Sequence, residues 1–253
     1  MPKETMTVKE RWNATINLEP VDRLLFWPKL NSSYPHMRTG TFAEMDLDQI
    51  HDWIGSDKHD WIGGCVKEVR TPCEVRTWDE GDKRITETVT PYGTLSLICE
   101  FDVDSQSWHP VTFPVNNLEE IKIMTAYYES CEPEINQDAV EKAKERYEQV
   151  GQNALLCCGA GESPLMHWVE WVAGVENAHL LLMDHQDEVE ALFDAMHNVL
   201  KRRLEVICQV SPADLIYMVE NTSTTLISPS QFQTYCMPHL SDYAAIANRY
   251  ERN

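Results

Sequence analysis

Apolar residues recur along the chain in two rhythms, one helical and one strand-like, and the changes between them mark its elements. Val8, Trp12, Thr15 and Ile16 share one helical face behind Thr7, whose spacing to Glu10 predicts a capping box; the helix stops before Pro20. Leu24-Leu25-Phe26-Trp27 reads as a short buried strand, and Leu47, Ile50, Trp53 and Ile54 as the inner face of a helix begun by Asp46. Asn117 caps another helix, and a further one spans 138–150. Residues 175–183 and 187–210 carry helical periodicity, the second with Val189, Leu192, Phe193, Met196, Leu200, Leu204 and Ile207 inward. A last helix runs to the end of the chain, with Pro238 expected to bend it and no glycine cap to close it.

Between 66 and 101 the texture changes to alternating, β-branched segments separated by Asp79-Glu80-Gly81-Asp82 and Pro91-Tyr92-Gly93. That pattern predicts an antiparallel meander inserted into an otherwise alternating α/β chain. Two stretches have the order buried strand, polar loop, helix. Ala154-Leu155-Leu156-Cys157-Cys158 leads into Gly159-Ala160-Gly161-Glu162-Ser163-Pro164, and Leu215-Ile216-Tyr217-Met218-Val219 into Glu220-Asn221-Thr222 before a Ser228-Pro229 helix start. In parallel α/β folds the carboxyl end of a strand is where ligands bind. Glu220 is therefore the first candidate, followed by Glu162 and Ser163. Gly159-Ala160-Gly161 lacks the third glycine of a phosphate cradle.

Composition narrows the classes. The 253 residues, 43 % hydrophobic with eight tryptophans, suffice for a large core. No apolar run nears the roughly 18 residues of a membrane span, and the charged N-terminus is unlike a signal peptide, so a cytoplasmic location is expected. The eight cysteines are scattered within apolar runs and read as free core thiols. A net charge of −20, from 41 acids and 21 bases, disfavours nucleic acid, anionic membranes and polyanionic substrates.

Glu10-Arg11-Trp12 through Glu19-Pro20-Val21-Asp22-Arg23, the Thr90-Pro91-Tyr92-Gly93 turn, and Leu226-Ile227-Ser228-Pro229 with Phe232 and Pro238 together resemble the uroporphyrinogen decarboxylase family. The resemblance implies a (β/α)8 TIM-type barrel formed by a single domain over 1–253, with the meander at 66–101 as an insertion. Only three or four parallel strands are legible, so the barrel is expected to be incomplete, lacking its last strands and exposing an apolar sheet edge. The family holds two chemistries. Decarboxylases grip an octacarboxylate with an arginine-rich segment; here the matching stretch from Trp27 to Tyr34 has Lys29 and no arginine before Arg38, which leaves a polyanion poorly held. The other branch is similar to corrinoid-dependent methyltransferases, which move a methyl group between a small methylated substrate or a thiol and a cobalamin protein. Their zinc sits on a His-x-Cys pair that would follow this chain's last helix. Zinc is thus expected only in a longer form, with no metal ligands inside this chain. Cys236 and His239 mimic metal spacing but read as packing. No cofactor is implied on the decarboxylase alternative, and a third reading is a catalytically inert fragment.

By position, Glu220 and Asn221 are the expected catalytic residues. Trp27, Lys29, Asn31, Glu162, Ser163, His167 and Thr222 are expected to bind substrate, with Trp27 and Trp108 offering faces to a methylated or cationic molecule. The loops after Trp27, Cys158 and Val219 should open on one cavity. A small-molecule substrate, a corrinoid protein and a homodimer are the partners this reading admits.

Overall fold

The structure is a computed structural model that describes residues 4–30 and 34–252. Its helices begin where local chemistry can cap them. Helix α1 (Val8–Ile16) starts at a complete Thr7–Glu10 capping box, and after the short α2 (Tyr34–Met37), α3 (Leu47–Ile54) starts at an Asp46–Gln49 box. Each box satisfies two backbone N–H groups that the first turn leaves open. Strands β1 (His59–Trp61), β2 (Val66–Arg70), β3 (Glu74–Glu80), β4 (Lys83–Thr90), β5 (Gly93–Asp102) and β6 (Ser107–Thr112) follow. Then come α4 (Leu118–Glu129), β7 (Cys131–Ile135), α5 (Gln137–Val150), β8 (Leu155–Gly161), α6 (Pro164–His167), α7 (Val175–Asp184), α8 (Gln186–Val210) and β9 (Leu215–Met218). The chain closes with α9 (Pro229–Gln231) and α10 (Met237–Arg249). Two π-helical turns, Trp168–Val172 and Phe232–Cys236, interrupt this order.

The (β/α)8 barrel implied by the resemblance is not found. The only parallel sheet among the described residues has three strands in the order β1-β8-β9, with β8 in the centre. Two features divert the chain from an eight-fold parallel arrangement. Segment 24–27 forms no strand: Leu24 is 87 % exposed, its carbonyl accepts from the Arg23 side chain, and the Phe26 backbone bonds to Asp57 rather than to a ladder. And β2 and β7 pair antiparallel with each other, Val66 opposite Ile135, outside the parallel set. Strand β9, expected to be buried on both faces, is an edge strand with Tyr217 42 % exposed.

The meander is present but shifted. Strands β3 to β6 form a four-stranded antiparallel sheet in sequence order, running to Thr112, and Ser107–Thr112 carried no strand signal. Its two expected turns hold: Gly81 takes a positive φ of 65° between Glu80 and Lys83, and Thr90 pairs with Gly93. Pro238 does not bend a helix. It sits in the first turn of α10, where the missing N–H costs nothing, and the helical register changes in the π turn before it.

One face of the parallel sheet is covered. Leu156, Cys158 and Ala160 of β8 pack with Val140 and Ala143 of α5, Leu200, Leu204 and Ile207 of α8, and Tyr243 and Ile246 of α10. A second cluster joins Ile121 and Met124 of α4, Leu165, Trp168, Ala178 and Leu182 to Leu192 and Phe193 of α8. The opposite face of the sheet carries Trp61 and Tyr217, half-exposed, with their rings 5.5 Å apart. Helix α1 closes the amino ends of β8 and β9: Lys9 Nζ lies 3.0 Å from Asp214, and the backbone N–H of Leu156 and the hydroxyl of Tyr147 donate to the same carboxylate. No helix among the described residues is long and apolar enough to cross a membrane.

Candidate functional site

At the carboxyl ends of β8 and β9 the chain gathers three glutamates. The ladder sets this up: Gly161, the last residue of β8, pairs with Met218, the last of β9, so the two following loops leave side by side. Ser163 then caps α6, accepting from Met166 N at 3.4 Å, with Pro164 at the helix start. The same Ser163 holds Glu220. Its backbone N–H donates to one carboxylate oxygen and its hydroxyl, 3.0 Å away, donates to the other. Cys236 Sγ lies 3.3 Å from the Ser163 hydroxyl on the far side.

Two further carboxylates face this pair. Glu162 Oε1 is 2.7 Å from His167 Nδ1, and Glu170 accepts a 3.1 Å hydrogen bond from Asn221 Nδ2. Burial is the main reason the Glu220 carboxyl rises above its ordinary pKa; the Ser163 bonds oppose the rise, and the charges of Glu162 and Glu170 add to it. Glu170 is raised chiefly by burial as well, with Asn221 opposing and Glu162 adding. Burial pushes the Cys236 thiol up to about 11, so it is a protonated partner here and not a nucleophile. Beside Glu162 and His167 a cavity of about 180 Å³ opens, walled by Tyr128, Met196, Leu200 and Arg203. Arg203 donates to the carbonyl of Ala160 and pairs with Glu68.

Glu162, Ser163, His167, Glu220 and Asn221 are therefore neighbours, and Thr222 lies exposed on the same loop. Trp27 and Lys29 are not with them. Trp27 packs on His59 with the rings tilted at 44° and 3.9 Å between centroids, and His59 pairs with Leu155, the first residue of β8; this places Trp27 at the amino end of the sheet. The single cavity expected of three loops is therefore not found: the loops after β8 and β9 leave side by side, but only the first of them lines the cavity. Lys29 is exposed, Trp108 packs against Phe101 in the meander, and Asn31 lies outside the described residues. Glu170, Tyr128 and Arg203 were not singled out in the sequence. Glu170 had one available signal, its helical spacing of three from His167.

Cys236 and His239 do not form a metal pair. Cys236 turns to Ser163, whereas His239 stacks on His197 of α8 at 4.1 Å. Among the described residues no three His, Cys, Asp or Glu side chains are arranged to hold a metal ion. No protein-family model matches the chain, and no curated protein matches it.

Proposed function

We propose that the chain is an enzyme that transfers a methyl group from a small methylated substrate to a corrinoid carried by a partner protein, with the glutamates at the carboxyl ends of β8 and β9 supplying the proton chemistry. One observation carries this reading: Glu162 lines a small, partly apolar cavity, Glu170 and Glu220 lie close enough to act on it and on each other through their charges, and burial raises these two carboxyls. Loss of a methyl group from an amine, ether or thioether leaves a heteroatom lone pair that must gain a proton. A carboxyl held above its ordinary pKa is the acid suited to deliver it near neutral pH. Glu170 fills that role. Glu162 orients His167, and Ser163 fixes Glu220 by two hydrogen bonds so that its charge can stabilise positive charge on the bound heteroatom. No step here passes through a metal held by this chain.

The uroporphyrinogen decarboxylase alternative gains no support from the site. A polyanion would meet three carboxylates, and of the two cations the sequence offered it, Lys29 lies elsewhere and Arg38 donates to the carbonyl of Met45. The test pairs the two chemistries. Purified protein is incubated with reduced cob(I)alamin and a panel of methylated amines, thiols and phenols, and methylcobalamin formation is followed by its absorbance; uroporphyrinogen turnover is measured in parallel. Methyl transfer from at least one donor, falling by about 10²-fold or more in Glu170→Gln, is expected. Turnover of uroporphyrinogen with no methyl transfer would refute the proposal.

A further inference from the structure

A second cavity, of about 590 Å³, lies at the opposite end of the parallel sheet from these glutamates. Its floor is Lys58 to Trp61 at β1, and its walls are Trp27, the first turn of α3, and Arg146 and Gln149 of α5. Three aromatic rings meet in it. The Trp27 and His59 rings are 3.9 Å apart, and Trp61 stands nearly perpendicular to His59 at 5.6 Å and 81°. Trp61 is 41 % exposed, so its face is open to a ligand.

Charge on the walls is of one sign once existing pairs are counted. Lys58 is bound to Asp52 at 2.7 Å and Asp48 at 3.5 Å, and Arg146 to Asp60. Asp46 remains as well, capping α3 with one oxygen. Both histidines are held towards the neutral form, His51 and His59 each having a pKa lowered mainly by burial. Three lining carboxylates, Asp46, Asp48 and Asp60, therefore face two cations, and both cations are already engaged, Lys58 also by Asp52 outside the cavity. An incoming anion would have to break the Lys58 or Arg146 pair to find a partner. An organic cation would meet tryptophan faces, whose ring quadrupoles attract it, and the surplus carboxylate charge, within a chain whose own field draws cations in.

The geometry points to a binding site for a small organic cation, a quaternary or protonated amine seated against Trp27, His59 and Trp61 with Asp48 and Asp60 at its rim. The site is separate from the glutamate cluster, and its fate does not decide the proposed function. Benzyltrimethylammonium is the probe, titrated into the purified chain at low salt and followed by tryptophan fluorescence and calorimetry, with benzyl alcohol and benzoate as neutral and anionic counterparts. Saturable binding in about the millimolar range is expected, roughly tenfold tighter than the alcohol, with none for benzoate. Trp61→Leu and Asp60→Asn should each weaken it about fivefold or more, and raising the salt should weaken it further. Asp60→Asn alters an exposed side chain and keeps the test alive if Trp61→Leu fails to fold. Benzoate binding as tightly as the ammonium, cation binding unchanged in a folded variant, or no saturation up to roughly 50 mM would overturn the inference.

Discussion

Replacing Arg11 tests the account of the amino-terminal segment most directly. Arg11 is 1 % exposed, and its guanidinium spends its donors on Asp22, Asp57, the carbonyl of Met6 and, at 3.5 Å, the exposed Glu4. Nε and Nη2 reach Asp22 at 2.8 and 3.1 Å, Nη1 reaches Asp57 at 2.5 Å, and Nη2 also reaches the carbonyl of Met6 at 3.0 Å. Asp57, fully buried, keeps two bonds from Arg23 and one from the N–H of Phe26 if Arg11 is lost. Asp22 keeps only backbone N–H groups, those of Thr5, Met6 and Arg23. Removing one partner of a buried ion pair costs about 3–5 kcal/mol. Arg23 still compensates Asp57, so Arg11→Ala should sit at the low end, about 3 kcal/mol.

Arg11→Lys separates charge from geometry. An ammonium is a point charge that cannot fork to Asp22 while reaching Asp57, so it forfeits at least one charge-assisted bond, about 1.5–3 kcal/mol. Urea unfolding at pH 7 reads both values through the midpoint and slope. Glu4→Gln, which removes an exposed arm of the same network, should cost less than about 1 kcal/mol. The Asp22 carboxyl is held well below the usual carboxylate range, first by its hydrogen bonds from Arg11. Its stabilising share is present above the unfolded value near 4 and is lost as pH falls below it, so the Arg11→Ala penalty should shrink in acid. An Arg11→Lys protein within about 0.5 kcal/mol of the parent would refute the reasoning, because charge without the fork would then suffice.

Three other outcomes are expected. Glu170→Gln keeps the Asn221 contact but removes a half-buried charge beside Glu162; the variant should be more stable than the parent at pH 8 by about 1 kcal/mol and no different below about pH 4, where the Glu170 carboxyl is protonated, as thermal melts at the two pH values will show. His239, stacked on His197, has its pKa pushed down to about 4 by burial and by that neighbour, so stability present above pH 6.5 should fall by about 2–3 kcal/mol as pH drops to 4; His239→Phe should flatten that slope in denaturant titrations. Gly174 has φ 75°, and a Cβ there would lie 2.6 Å from the Phe113 ring, so Gly174→Ala should lose about 2–4 kcal/mol in urea unfolding, partly recovered in a Gly174→Ala, Phe113→Leu double variant.

How far the sequence was legible follows from the range of each interaction. The capping boxes at Thr7 and Ser228 and the turns at Gly81 and Pro91 depend on residues within four positions, and the structure holds them as read. The long α8 and the apolar β8 were equally plain, because one face of a helix and a run of buried residues declare themselves by period alone. Strand partners were not legible. Nothing local to Val66 or Cys131 says that β2 and β7 pair with each other, and nothing in Leu24-Leu25-Phe26-Trp27 says that its backbone will follow one aspartate instead of a ladder. The same division holds at the site. Glu220 and Glu162 announced themselves as carboxylates directly after apolar runs, and Ser163 as a residue before proline. Glu170 reaches Asn221 from inside a π turn, where the helical spacing changes, and Cys236 ends another such turn; neither register shift is written in the hydrophobic pattern.

The residues that carry the family resemblance and the residues that carry the proposed chemistry are different sets, and this bears on what each supports. Arg11, Asp22 and Arg23, the charged members of the amino-terminal motif, are consumed by their own network with Asp57, and Trp12 donates to the carbonyl of the same Asp57. Thr90 of the Thr-Pro-Tyr-Gly turn spends its hydroxyl on Gly93 and Tyr92, and Ser228 and Gln231 spend theirs on capping α9. These groups have no valence left for a substrate; they fix where segments start and turn. Glu162, Glu170 and Glu220 are the reverse case, three acidic side chains brought together at the cost of raised pKa values for Glu170 and Glu220, with no cation paired to those two among the described residues. A fold gains no stability from that crowding, and a site that must hold and release a proton does. The weight of the functional argument therefore rests on the loops after β8 and β9, and it stands or falls with the Glu170→Gln substitution there, independent of the motifs at the amino terminus.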